Sequence, residues 1–192
     1  MVGSGGVDPG SGVVTETARL LLRRFTPADA AAMYRIYGDA EVMRFMGPPP
    51  ASVDEEAANL RAHARKYYEA LGFGLWAVVR KDAGELIGRC GLLRSEIGGR
   101  METEISYLLD RGHWGRGFAA EAAGAVLAYG SGVLGIARIV AVIDPRNHAS
   151  RRVAERIGMT YERDVPYKQF GVVHLYASAT PAGAGRPSST AE

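Results

Sequence analysis

The densest run of residues able to do chemistry is Asp110-Arg111-Gly112-His113-Trp114-Gly115-Arg116-Gly117-Phe118-Ala119-Ala120-Glu121. Gly115 and Gly117 free the backbone to turn tightly and gather its N–H groups. At the start of a helix, those donors and the helix dipole form a site for a phosphate-type anion. Arg116 adds a mobile positive charge, and the small Ala119 and Ala120 leave room for a ligand against the first turn. Glycine used only to turn a strand into a helix explains the same residues equally well. They also fit a dinucleotide pattern, Gly115-x-Gly117-x-x-Ala120, with Asp144 beyond it. Two features oppose that pattern: residues 110–114 interpose a long loop, and Asp144 lies further on than the roughly 20 residues expected. A Walker-type phosphate loop is excluded, because no Gly-Lys-Ser/Thr follows.

Just upstream, strand alternation places Glu102, Glu104, Ser106 and Leu108 on one face. A carboxylate there can take a proton from a bound amine, directly or through water. Glu104 is the first candidate for that base and Glu102 the second; solvated strand residues are the plainer alternative. Cys90 lies mid-strand and reads as a small buried hydrophobe rather than a nucleophile. His63, His113, His148 and His174 are scattered and never spaced i,i+4, so no metal site is expected.

Composition narrows the class further. The 192 residues are 47% hydrophobic and 23% charged, which fits one globular domain and excludes a largely disordered chain. A net charge of +2 gives no electrostatic case for nucleic acid. The longest uncharged stretch, Ala122 to Ala137, is shorter than the roughly 20 residues of a membrane span. The cytosol is therefore the expected compartment. A homodimer is compatible with the sequence. Residues 1–14 and 181–192 are small and polar and read as flexible tails around a domain over 15–180.

The elements that must position these residues follow from pattern. Arg19 to Phe25 is a first strand, and Thr26-Pro27-x-Asp29 opens a helix to about Tyr37. Gly47-Pro48-Pro49-Pro50 forces a loop, and Ser52-x-x-Glu55 caps a helix running to Leu71. Phe73 to Arg80, Leu86 to Arg94 and Thr103 to Leu109 should form an antiparallel meander. Phe118 to Val133 is helical and Ala137 to Ile143 is a strand, which implies a parallel crossover. A last helix from His148 stops at Gly158, and strands follow near Thr160 to Asp164 and Val172 to Ala179. The expected fold is α/β: a mixed, mostly antiparallel sheet with one parallel pair and flanking helices.

The run Trp114 to Ala122 resembles the acetyl-CoA-binding segment of GCN5-related N-acetyltransferases, in particular the branch containing the ribosomal-protein alanine acetyltransferases. Ala18-Arg19-Leu20-Leu21-Leu22-Arg23, Gly88-Arg89-Cys90-Gly91-Leu92, Glu104-Ile105-Ser106-Tyr107 and Asn147-His148-Ala149-Ser150 match in family order. The resemblance spans roughly Thr15 to Thr180 and implies a splayed central pair of parallel strands that admits the pantetheine arm. By that resemblance the backbone of Leu108 and Leu109 pairs with pantetheine. Trp114, Gly115, Arg116, Gly117, Phe118 and Ala119 cradle the pyrophosphate, and Asn147 reaches the arm from the other strand. Asn147 also suits a helix N-cap.

The implied reaction moves acetyl from acetyl-CoA to a primary amine, on a small molecule or a protein N-terminus, by direct attack and without a metal. The resemblance places the oxyanion donor at a backbone N–H near Leu108. Arg146, Arg151 and Arg152 are candidates for the 3′-phosphate, although exposed arginines commonly only solvate a helix. The tyrosine that many members use as general acid is here Ala154, so Ser150 becomes the candidate, with Tyr161, Tyr167 and Tyr176 behind it. Glu41 to Met46, Trp76 and Tyr167 to Phe170 are candidate acceptor lining. Two alternatives stand beside this one: a non-catalytic acyl-CoA-binding module, suggested by Ala154, and an NAD-dependent oxidoreductase, suggested by the glycine spacing.

Overall fold

The structure is a computed structural model describing residues 12–178, so most of both expected tails lies outside the described residues. Eight strands form one sheet in the order β1-β2-β3-β4-β5-β6-β8-β7. They are β1 (Val13–Glu16), β2 (Leu20–Arg23), β3 (Leu75–Arg80), β4 (Leu86–Ile97), β5 (Arg100–Leu109), β6 (Ile139–Ile143), β7 (Thr160–Pro166) and β8 (Val172–Ala177). Every pairing is antiparallel except β5–β6. The expected meander is β3-β4-β5, and the expected crossover is β5-α4-β6, where α4 is Phe118–Gly132. β1 was not expected. It takes in Val13 and Val14, assigned to the tail by composition, and is anchored where Arg24 N–H donates to the Gly12 carbonyl.

Period-two patterning explains the two buried faces. On one face Leu20, Leu22, Trp76, Val78, Cys90, Leu92 and Ile105 pack under α4, which contributes Phe118, Ala122, Ala123 and Val126. Trp76 is therefore a core residue, not acceptor lining. Burial also pushes the Cys90 thiol far up, so it stays an inert hydrophobe. On the other face Leu75, Ala77, Val79 and Leu108 meet α1 (Ala30–Tyr37), α2 (Ala40–Met43) and α3 (Val53–His63). Thr26 and Asp29 form the expected capping box, but the first turn is 3-10 before α1 begins. Asp39 caps the short α2, accepting from the Glu41 N–H. Ser52 caps α3 as expected. The single helix expected to reach Leu71 instead changes to π winding over Ala64–Glu69, with Tyr67 and Tyr68 both buried.

His63, at the end of α3, closes the seam between that helix and the sheet. Its Nε2 accepts from the Leu75 N–H at 2.9 Å, and its ring stacks on Tyr67. Burial, with Arg89 nearby, lowers its pKa from 6.5 to about 4. The unfolded chain thus binds the His63 proton more readily than the native one between pH 6.5 and 4. This contribution to stability is complete above pH 6.5 and is lost as pH falls toward 4. Melting temperatures measured across that window should fall with acidification, and the His63→Gln variant should flatten the decline.

Candidate active site

The parallel pairing of β5 with β6 extends only over Thr103–Ile139 and Glu104–Val140. Beyond it the strands part, and a hollow of about 210 Å³ opens between them. The ladder parity decides which backbone groups face the gap. Asp110 N–H donates to Ile87 and Leu92 N–H to Gly74, so Arg89 and Leu108 direct their amides at each other across β4–β5. The amide groups of Tyr107 and Leu109 therefore face the gap, and the Leu109 carbonyl takes the Trp114 indole N–H at 2.9 Å. On β6, Ser178 N–H donates to Ile139, and by the same alternation Val142 faces the gap. The geometry differs from one expectation: Leu108 offers its backbone to β4 and its side chain to the core, while its neighbours Tyr107 and Leu109 face the gap.

At the wide end of the gap lies the glycine turn. Asp110 accepts from the Gly112 N–H, a 3-10 turn covers Arg111–His113, and Gly115 and Gly117 adopt φ of +75° and +80°. Those values favour glycine. Gly117 caps α4 with no side-chain hydrogen bond, leaving the first-turn N–H groups of Phe118, Ala119 and Ala120 without a cap. The space above Gly115 is open. Phe118 points its ring into the core, so only its N–H serves the turn, whereas Trp114 remains exposed at the mouth.

Sequence reasoning missed the clamp behind this turn. Glu121, in the first turn of α4, accepts from Thr17 Oγ1 at 2.5 Å, from the Arg19 backbone at 3.1 Å and from Arg19 Nε at 2.7 Å. Arg19 also donates to the Arg116 carbonyl at 3.1 Å and lies 4.3 Å over the Phe118 ring. Burial opposes the Glu121 charge, but Thr17 and Arg19 outweigh it and hold the carboxyl below the usual range. The open hollow beside the turn, about 530 Å³, is lined by Arg19, Arg116 and Arg156. Arg156 was not a candidate. Arg146 instead pairs with Asp144 at 2.7 Å, Arg151 lies 3.7 Å from Glu155, and Arg152 is exposed.

Two hydroxyl and carboxylate clusters flank the gap. On the α5 side (α5, His148–Arg156), Ser150 Oγ donates to Tyr107 Oη at 3.0 Å, and that hydroxyl donates to the Ser150 carbonyl at 2.9 Å. Burial pushes the Tyr107 hydroxyl up, and the Ser150 bond offsets this only in part. Asn147 caps α5 by accepting from the Ser150 N–H, and it also lines the gap. On the opposite face the buried Glu104 accepts from Tyr167 Oη at 2.8 Å, and Lys168 Nζ donates to the same hydroxyl at 2.8 Å. Glu102 has a different fate. Arg138 holds it at 3.3 Å and continues to Glu162, away from the gap. Tyr161 and Tyr176 bond Asp164 and Glu155 instead.

The acetyltransferase (GNAT) domain family matches residues 19–160. The chain belongs to that family. It is 32% identical over 169 residues to the uncharacterized N-acetyltransferase YoaA of Bacillus subtilis, covering 88% of this chain and 91% of YoaA. A solved GNAT-family acetyltransferase from Bordetella pertussis superposes with a TM-score of 0.72 at 28% identity, covering 86% of this chain and 99% of that one. RimL, the ribosomal L7/L12 α-N-protein acetyltransferase solved with coenzyme A, shares the fold at a TM-score of 0.69 and 16% identity. That match covers 88% of this chain and 98% of RimL.

This GNAT fold removes the oxidoreductase alternative. The glycine turn serves an otherwise antiparallel sheet with one parallel pair, and Asp144 is engaged by Arg146. The Glu121→Gln substitution keeps the size of the side chain but removes the charge that holds Arg19. Its coenzyme A dissociation constant, measured by calorimetry, should rise about three- to tenfold, the effect of roughly 1 kcal/mol, with the acceptor side unaffected.

Proposed function

We propose that this GNAT enzyme transfers acetyl from acetyl-CoA to a primary amine by direct attack within a ternary complex. The observation that carries the proposal is the gap itself. The N–H groups of Tyr107, Leu109 and Val142, which face it by ladder parity, lead straight to the uncapped start of α4. The residues present fit coenzyme A: the gap offers an extended arm main-chain partners as a further strand would. The turn at Gly115 and Gly117 offers N–H groups to a diphosphate. Arg156, Arg116 and Arg19 border the hollow in which further phosphate charge would lie. Bound there, acetyl-CoA supplies the activated thioester.

The chain's own groups then divide the remaining work. Glu104 lies on the α1–α3 face and accepts the proton that the amine must lose. Tyr167 and Lys168 fix its orientation from the far side. An N–H at Tyr107 or Leu109 is directed at the gap, where negative charge develops on the carbonyl oxygen. Ser150, oriented by Asn147 and Tyr107, relays a proton from solvent to the departing thiolate, and Glu104 gives its own up to solvent, so both groups return to their starting states. This hydroxyl pair occupies the role left open by Ala154, which is wholly buried. A module that only binds acyl-CoA would need neither a buried, oriented carboxylate nor this pair. RimL, with the same fold, is named as an acetyltransferase of a protein α-amine, and this supports an amine acceptor of small-molecule or N-terminal type.

The test is thiol release over a panel of primary amines. Wild type should release coenzyme A with at least one of them. Glu104→Gln, whose amide oxygen can still accept from Tyr167, should lower kcat by about 10²-fold or more with coenzyme A affinity retained. Ser150→Ala should lower kcat less, because Tyr107 remains. Unchanged turnover in Glu104→Gln would remove Glu104 from the mechanism.

A further inference from the structure

A second hollow, about 450 Å³, lies on the α1–α3 face between α3 and the Gly47–Pro50 loop. It joins the gap between β5 and β6 through shared walls, Met46, Gly47 and Arg89. Among the described residues lining these two hollows, Arg89 is the one with a buried side-chain atom left unpartnered. It stands on β4 opposite Leu108, so its side chain shares the face of Leu108 and Glu104. Among the described residues no side-chain hydrogen bond or ion pair involves it, and its Nε is buried without an acceptor. Its ring contact is Tyr37, with the guanidinium 5.7 Å from the centroid. A guanidinium N–H removed from water and left unpaired is costly, so the group is built for something that arrives.

The charges around Arg89 indicate what that is. His63, on the same hollow, is neutral at physiological pH because burial holds its pKa at about 4. Glu55 faces solvent and accepts from the Ala51 N–H. Glu56 is buried on the same hollow. Its burial pushes its carboxyl toward the neutral form, and Asn59 and Arg89 offset this only in part. Lys168, at the far end, is committed to Tyr167. Arg89 is thus the uncommitted cation between the two hollows, and the remaining wall is largely apolar: Phe25, Met43, Met46, Leu60 and prolines 48–50. A planar fork of N–H donors recognises carboxylate in preference to other groups.

Resting on the acetyl-transfer reading above, we infer that the acceptor is a small amine that also carries a carboxylate. Arg89 pairs with that carboxylate while the amine reaches into the gap toward Glu104. Together the two hollows fall within the usual range for a small-molecule site. A polyamine would instead bring a second positive charge against Arg89 and gain nothing from it.

The experiment compares amino acids, both α and ω, of two to six carbons with the matching n-alkylamines and diamines. Two readouts are used: calorimetric binding to the enzyme saturated with coenzyme A, and thiol release with acetyl-CoA. At least one amino acid should bind and react at least tenfold better than its alkylamine. Arg89→Met should abolish that preference through KM, leaving coenzyme A affinity unchanged, and Arg89→Lys should restore part of it. Equal treatment of amino acids and alkylamines, tighter binding of diamines, or no binding of any amino acid would overturn the inference. So would an Arg89→Met variant that keeps the preference. If no amine releases thiol but the amino acids still bind through Arg89, the transfer reading fails and the anchoring role stands.

Discussion

The site depends on two neighbouring strands that stop pairing. β5 and β6 share two residue pairs and then diverge, leaving peptide groups on both strands without partners in the sheet. Such groups are expensive to bury unpaired, so this gap has to face water or a ligand with a matching backbone-like arm. The rest of the fold serves to keep it open. β4 holds one edge of β5 through a ten-pair ladder, β8 holds β6, and α4 carries the chain across one face to make the two strands parallel. Trp114 further blocks closure by spending its indole N–H on Leu109 at the mouth.

The divergence also separates two polar clusters. Alternation along β5 sends Tyr107 toward α5 and Glu104 toward the α1–α3 face. A hydroxyl pair and a buried carboxylate thus stand on opposite sides of one thin opening. Each is oriented by a different element: Tyr107 by Ser150 on α5, and Glu104 by Tyr167 between β7 and β8. The glycine turn is similarly braced from a distance, since Glu121 fixes Arg19 and Arg19 holds the Arg116 carbonyl. A turn that must present bare N–H groups cannot hold itself rigid with those same groups, and so it relies on side chains behind it.

How much of this could be read from the sequence differed by kind. Strands with clear alternation, capped helices and the glycine turn are local signals, and the meander, the crossover and the last helix follow from them. β1 and α2 are four residues each, too short for periodicity to reveal, and the π winding over Ala64–Glu69 has no sequence signature. At the site, the placement of Glu104, Ser150 and Asn147 beside the gap, and of the glycine turn before α4, was legible by type and position. The structural reason that separates Glu102 from Glu104 was not, because it rests on Arg138, 36 residues from Glu102. Whether Leu108 or its neighbours face the gap depends on ladder parity, which composition cannot encode. Arg89 was visible only as part of a motif, since its lack of a partner emerges only from packing.

The most direct measurement is backbone amide hydrogen exchange, residue by residue, with and without coenzyme A. The amides of Tyr107, Leu109 and Val142, together with those of Phe118 to Ala120, should become strongly protected on binding. Leu108, already bonded to β4, should change little. Protection confined to surfaces away from the gap, or gained at Leu108 while Tyr107 and Leu109 stay open, would contradict it.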